Sequence, residues 1–145
     1  MQFTQRRTIG GRAWLSISLP SVEHEKAIVA WANTTLGLLS RWWHSNKQQN
    51  GRGNIGKSTL ETLPILDVTM LPTEQLANAV KIFDDMCQMP LLPIHEIDKD
   101  PVRTELDERF ALEVLGIAGA AVIPDGPIEL LRRKLAKEPS IRGRK

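Results

Sequence analysis

The feature that most limits how this chain can fold is the segment from Val22 to Ser45. Ser21 suits an N-cap, and Glu23 and Glu25 fall in a first turn, where carboxylates meet the positive end of the helix dipole. Beyond that turn the segment is apolar on nearly every side: Ile28, Val29, Trp31, Leu36, Leu38, Leu39, Trp42 and Trp43. A helix without a polar stripe has to be covered all round. The pattern predicts one continuous helix over 22–45, with Trp31, Leu38, Leu39 and Trp42 in the core. The other residues of a 145-residue chain barely suffice to cover it, which points to a larger neighbour. Gly37 in mid-helix costs about 1 kcal/mol relative to Ala, and close packing against another backbone accounts for its presence.

On either side the patterns change. Ala13, Leu15, Ile17 and Leu19 alternate with Trp14, Ser16 and Ser18, the period-two signature of a strand over 12–19, and Pro20 ends it. A second strand is expected near 53–57, and a helical turn after it is stopped by Pro64, with Leu60, Leu63 and Ile65 facing inward. Thr73 then opens a helix of about 16 residues with Leu76, Val80, Phe83 and Cys87 on its apolar face and Ala79, Ile82 and Met86 beside them. Asp100 as N-cap with Pro101 at the first helical position starts another; it buries Val102, Leu106, Phe110 and Val114 and stops at Gly116. Gly126-Pro127 begins a last helix over 127–137. The expected fold class is α+β and helix-dominated: a small β-sheet packed on the long apolar helix, followed by three further helices. Residues 1–70 form the α+β part and 71–145 the helical part with a basic tail, together one compact unit.

Composition narrows the functions. No apolar run reaches the roughly 18 residues of a membrane span; residues 28–43 come nearest but are interrupted by Asn33, Thr34, Thr35, Ser40 and Arg41. The N-terminus has no apolar stretch behind its arginines, so it does not read as a signal peptide. The single Cys87 excludes an internal disulfide and a cysteine zinc site; it reads as a small core residue, and a reducing, cytoplasmic setting fits. The net charge of +2 hides an uneven distribution. Residues 1–57 carry eight Lys/Arg and two acids, 58–129 four and fourteen, and 130–145 seven and one. A basic front and tail around an acidic middle imply that one part of the molecule meets a polyanion.

That part is the loop 44–57, HSNKQQNGRGNIGK, with Arg41 just before it. His44, Lys47, Arg52 and Lys57 are interleaved with Asn46, Gln48, Gln49 and Asn50, and no acid intervenes. These are side chains that reach phosphates and base edges, and three glycines let a backbone approach closely. Residues 51–58 also match the phosphate-loop pattern GxxxxGK[ST]. A working phosphate loop comes after a buried strand and opens a long helix, whereas here SNKQQN precedes and Pro64 intervenes within two turns. Nucleotide hydrolysis is therefore set aside. His24, His44 and His95 lack metal-ligand spacing. There is no Asp/Asn-Pro-Pro-aromatic motif and no glycine-rich loop after a strand, so no chemistry is assigned to this chain.

The order of motifs resembles the C-terminal target-recognition region of bacterial adenine-specific DNA methyltransferase-like, restriction-modification proteins. More widely it resembles the target-recognition domains of type I restriction specificity subunits. The residues that carry the resemblance are Gly10-Gly11-Arg12-Ala13-Trp14, the run Trp31–Leu39, Arg41-Trp42-Trp43-His44, Gln48-Gln49, Gly51-Arg52, Leu63-Pro64-Ile65-Leu66-Asp67, Asp100-Pro101-Val102-Arg103 with Glu105-Leu106-Asp107, and Leu130–Leu135. They span about residues 6–144; Leu66 stands where a final proline is common in the wider class. The resemblance implies a non-catalytic module that reads double-stranded DNA through Arg12, Arg41, His44, Lys47, Gln48, Gln49, Arg52 and Lys57. Its partner is a methyltransferase catalytic domain or subunit, and S-adenosylmethionine is expected in that partner. The chain is then a truncated gene, a separate subunit or an excised domain. The alternative is a docking domain that binds a methyltransferase subunit without touching DNA.

Overall fold

A computed structural model describes residues 18–47, 53–54 and 56–138. Among the described residues six α-helices carry the fold: α1 (Val22–Asn33), α2 (Thr35–His44), α3 (Lys57–Thr62), α4 (Thr73–Met86), α5 (Pro101–Arg109) and α6 (Pro127–Lys137). A π-helical segment, Phe110–Val114, extends α5, and 3-10 turns at Val68–Met70 and Ile94–Lys99 join the longer helices.

The expected continuous helix is two helices. Thr34 is extended, with φ −67° and ψ 163°. Its hydroxyl donates to the Trp31 carbonyl at 2.6 Å and accepts the Gly37 N–H at 3.1 Å, while the Asn33 amide donates to the Val29 carbonyl. These short polar side chains offer the backbone an alternative to the helical ladder, and Thr34 becomes the N-cap of α2. The turn brings α2 onto the end of α1 so closely that a Cβ at Gly37 would lie 2.4 Å from the Trp31 carbonyl oxygen and 2.7 Å from Ala32 Cα. The backbone that Gly37 accommodates is thus that of the preceding helix.

The expected α+β class is corrected. Among the described residues the sole strand pairing is an antiparallel ladder of two residue pairs, β1 (Asn46–Lys47) with β2 (Gly53–Asn54), Asn46 facing Asn54 and Lys47 facing Gly53. So short a ladder presents no face on which a helix can pack, and the core is built by helices. Ala27, Ile28 and Ala30 of α1 meet Ala79, Ile82 and Met86 of α4, with Leu106, Phe110 and Val114 behind them and Val68 at one end. Alanines at this interface let the two helix axes approach closely. The strand expected over 12–19 lies outside the described residues up to Ile17; Ser18 and Leu19 belong to no regular element, and Leu19 packs on the core. A second cluster joins Ile97 to Leu135 and Ala136 of α6, with Leu38, Leu39 and Trp42 of α2 packed against it.

The other boundaries are set by local chemistry. Asp100 caps α5 by accepting the Arg103 N–H at 3.1 Å and also accepts the Leu92 N–H at 2.9 Å, which pins the extended segment before it. Gly116, at φ +62°, ends the π segment in the left-handed region that glycine enters without strain. Cys87 is exposed just past α4, a departure from the core position expected for it.

Candidate nucleic-acid interface

The basic, amide-rich segment begins where α2 ends. Ser45 closes the helix, its hydroxyl donating to the Trp42 carbonyl at 2.8 Å, and β1 starts at the next residue. Pairing of Asn46 with Asn54 and of Lys47 with Gly53 brings the two ends of the segment side by side. The chain reaches β1 directly from the C-terminal end of α2. After β2 it enters α3, which ends at Thr62. Helix α3 is too short to be the helix of a phosphate loop, and β2 pairs only with β1 among the described residues.

Of the eight predicted contact residues, Arg41 and His44 are described in full. Arg41 lies in the last turn of α2 and is exposed. His44 is half-buried, and its Nδ1 has no hydrogen-bond partner among the described residues. Lys47 lies in β1 and Lys57 opens α3, with their side chains outside the described portion. Arg12, Gln48, Gln49 and Arg52 lie outside the described residues. The structure thus brings Arg41, His44 and the backbone of Lys47 to one end of α2.

The apolar pattern of the sequence assigns Trp43 to a helix covered on all sides. It is 70% exposed instead. Its neighbour Trp42 is half-buried against α6, and the two rings meet edge to face, 6.1 Å between centroids and 64° between planes.

The structure also holds a buried ionic cluster for which local sequence carries no signal. Asp107 of α5 accepts the Thr35 N–H at 2.6 Å, the Thr35 hydroxyl at 2.5 Å and Nη1 of Arg132 at 2.6 Å. Close by, Arg103 donates to the Asn33 carbonyl and lies 3.6 Å from the Asp100 carboxylate. Burial pushes the Asp107 carboxyl up, against the pull of the Thr35 and Arg132 donors. Burial likewise lowers Arg103, opposed by Asp100 and Asp107. Both oxygens of Asp107 are engaged by donors, so the group acts as a clasp. It ties the first residue of α2 to α5 and α6 and so fixes the helix whose far end bears the hairpin.

Among the described residues no group of three or more His, Cys, Asp or Glu side chains is arranged to hold a metal ion. No described helix is long and apolar enough to cross a membrane. Comparison with protein-family models, with curated proteins and with solved structures finds no match for the chain.

Proposed function

We propose that this chain is the DNA-reading module of an adenine-specific DNA methyltransferase of a restriction-modification system, without catalysis of its own. The observation that carries the reading is the pairing of Asn46–Lys47 with Gly53–Asn54. It sets the two ends of a stretch rich in Lys, Arg and amides side by side, just after a helix clasped in place at its other end. No carboxylate occurs between Glu25 and Glu61. Salt-screened attraction to phosphates then positions the module, and bidentate side chains read bases. In this reading Lys47 and Lys57 meet phosphates, Arg52 and Gln49 meet base edges, and Arg12, Arg41, His44 and Gln48 flank them. S-adenosylmethionine and the transfer chemistry belong to a cytoplasmic catalytic domain or subunit.

The order α2, polar segment, β2, α3 and Leu63-Pro64-Ile65 supports the reading by matching the plan of motifs in the sequence. The test is a binding series on duplexes with and without the preferred site, made in the assembled enzyme at several salt concentrations. Lys57→Ala weakens both duplexes alike and flattens the salt slope by about one unit, whereas Arg52→Ala erases the difference between them. If both substitutions leave affinity and site choice unchanged, the segment is a surface turn.

A second reading, a docking domain for a methyltransferase subunit, is favoured by one feature. Between α4 and α5 the chain leaves Met89, Leu91, Leu92 and Ile94 exposed in succession. Exposed apolar runs of this kind mark protein contacts. A docking domain binds its subunit and shows no salt-dependent affinity for duplex DNA.

A further inference from the structure

We infer that α2, the Ile94–Lys99 turn and α6 form a layer that opens as one unit from the core of α1, α4 and α5, with Asp107 as the latch that keeps it shut. Among the described residues the buried apolar side chains fall into two separate groups. One joins α1, α4, α5, the π segment and the Val68–Met70 turn through ten buried apolar residues. The other joins the Ile94–Lys99 turn to α6 through three, Ile97, Leu135 and Ala136, with Leu38, Leu39 and Trp42 of α2 packed on them. Apolar burial is the main force that holds elements together. Each group therefore coheres by itself, and the smaller one is the weaker.

Where the groups meet, the contact is polar and incompletely packed. Asp107 of α5 holds Thr35 of α2 and Arg132 of α6, one partner on each helix of the layer. Burial works against its charge, and the Nε of Arg132 is buried without a hydrogen-bond partner among the described residues. A buried ion pair repays its desolvation only in part, a cost that apolar contacts do not carry. A small cavity beside Asp107, lined by Thr34, Leu36, Phe110 and Ile128, marks loose packing at the same place. The chain passes between the groups at two single extended residues: Thr34 between α1 and α2, and Asp100 between the Ile94–Lys99 turn and α5. Residues at the ends of elements are where hinges absorb a change in φ and ψ. The Thr34 joint is anchored on both sides: Arg103 donates to the Asn33 carbonyl, and the Thr34 hydroxyl accepts the Gly37 N–H. Opening of the layer moves the C-terminal end of α2, and β1 after it, relative to α1 and α4.

The experiment is native-state hydrogen exchange of the full chain, read by mass spectrometry over a range of low denaturant concentrations. Amides of α2, the Ile94–Lys99 turn and α6 share one opening free energy, below that of α1 and α4. Ile82→Val, at a fully buried position of the larger group, speeds exchange in α1 and α4 by about threefold to tenfold. It leaves α2 and α6 unchanged, because that core stays intact while the layer opens. Asp107→Asn speeds α2 and α6 together by about a hundredfold or more. A single opening free energy for all these helices, or different ones for α2 and α6, overturns the layer; the parent chain alone decides this, whatever the variants do. An Ile82→Val variant that speeds every helix alike overturns it too. Asp107→Asn with α2 and α6 at the parent rate overturns the latch.

Discussion

Asp107 offers the sharpest test of how the fold is held. Replacing it with Leu removes the carboxylate that faces Arg132 and the two Thr35 donors. Arg132 is left as a buried cation, with its side chain 6% exposed. Breaking one side of a buried ion pair costs about 3–5 kcal/mol, because the remaining charge is uncompensated. That is a large part of the roughly 5–15 kcal/mol that holds a domain together. For a chain of this size it lowers the melting temperature by about 10–20 °C. Arg132→Met exposes the same dependence from the other side. The double variant, Asp107→Leu with Arg132→Met, removes both charges together. Since burial already works against the ionised carboxyl, the double variant should cost less than either single one; what remains is about 1–3 kcal/mol for unsatisfied donors of Thr35. Urea unfolding of the four proteins closes the cycle. Additive single costs, or a single cost below about 1 kcal/mol, would refute the clasp.

Gly37→Ala places a Cβ against the Trp31 carbonyl and Ala32 Cα; thermal unfolding should show a loss of about 1–3 kcal/mol, in contrast to the gain that Ala ordinarily brings to a helix. Trp42→Ala, at a half-buried position against α6, should cost about 2 kcal/mol by urea unfolding, below the range for a fully buried tryptophan. Lys81 and Arg109 hold the Asp85 carboxyl below its ordinary range. The stability Asp85 lends is therefore full above its unfolded pKa of about 3.9 and is lost as pH falls through the folded value. Asp85→Asn should accordingly make unfolding less steep on the acid side, measured as melting temperature against pH.

Where local chemistry decides, the sequence is informative. Asp100-Pro101 and Gly126-Pro127 start α5 and α6 at the expected positions, because a cap and a first-position proline act within one turn. Leu106, Phe110 and Val114 are buried as their spacing indicates. The break at Thr34 is not legible in the same way: the capping side chain stands in the sequence, but the acceptor that holds Thr35 comes from Asp107, 72 positions away. Periodicity finds α4 but places its buried face one row off; the close approach of Ala27 and Ala30 to Ala79 turns Ile82 and Met86 inward and leaves Cys87 outside. Apolar composition assigns Trp43 to a helix covered all round, yet α2 ends one residue later at His44 and Trp43 is left exposed. The expected sheet does not support the core because helices cover it among the described residues, and the strand expected over 12–19 lies outside those residues up to Ile17. For the candidate interface, composition marks the basic amide-rich segment, whereas the pairing that gathers it depends on which backbone groups meet.

Contact between the basic hairpin and DNA phosphates is the central claim. It is tested most directly by the affinity of the full chain for a paired duplex between low and moderate salt. Lys47, Arg52, Lys57 and Arg41 are the cations at stake. If they meet phosphates, log affinity falls linearly with log salt with a slope of about −2 to −4, roughly 0.9 per phosphate neutralised. Replacing Lys47 and Lys57 together by Ala then flattens that slope by about two units. A flat salt dependence, or a slope that the double substitution leaves unchanged, would contradict it.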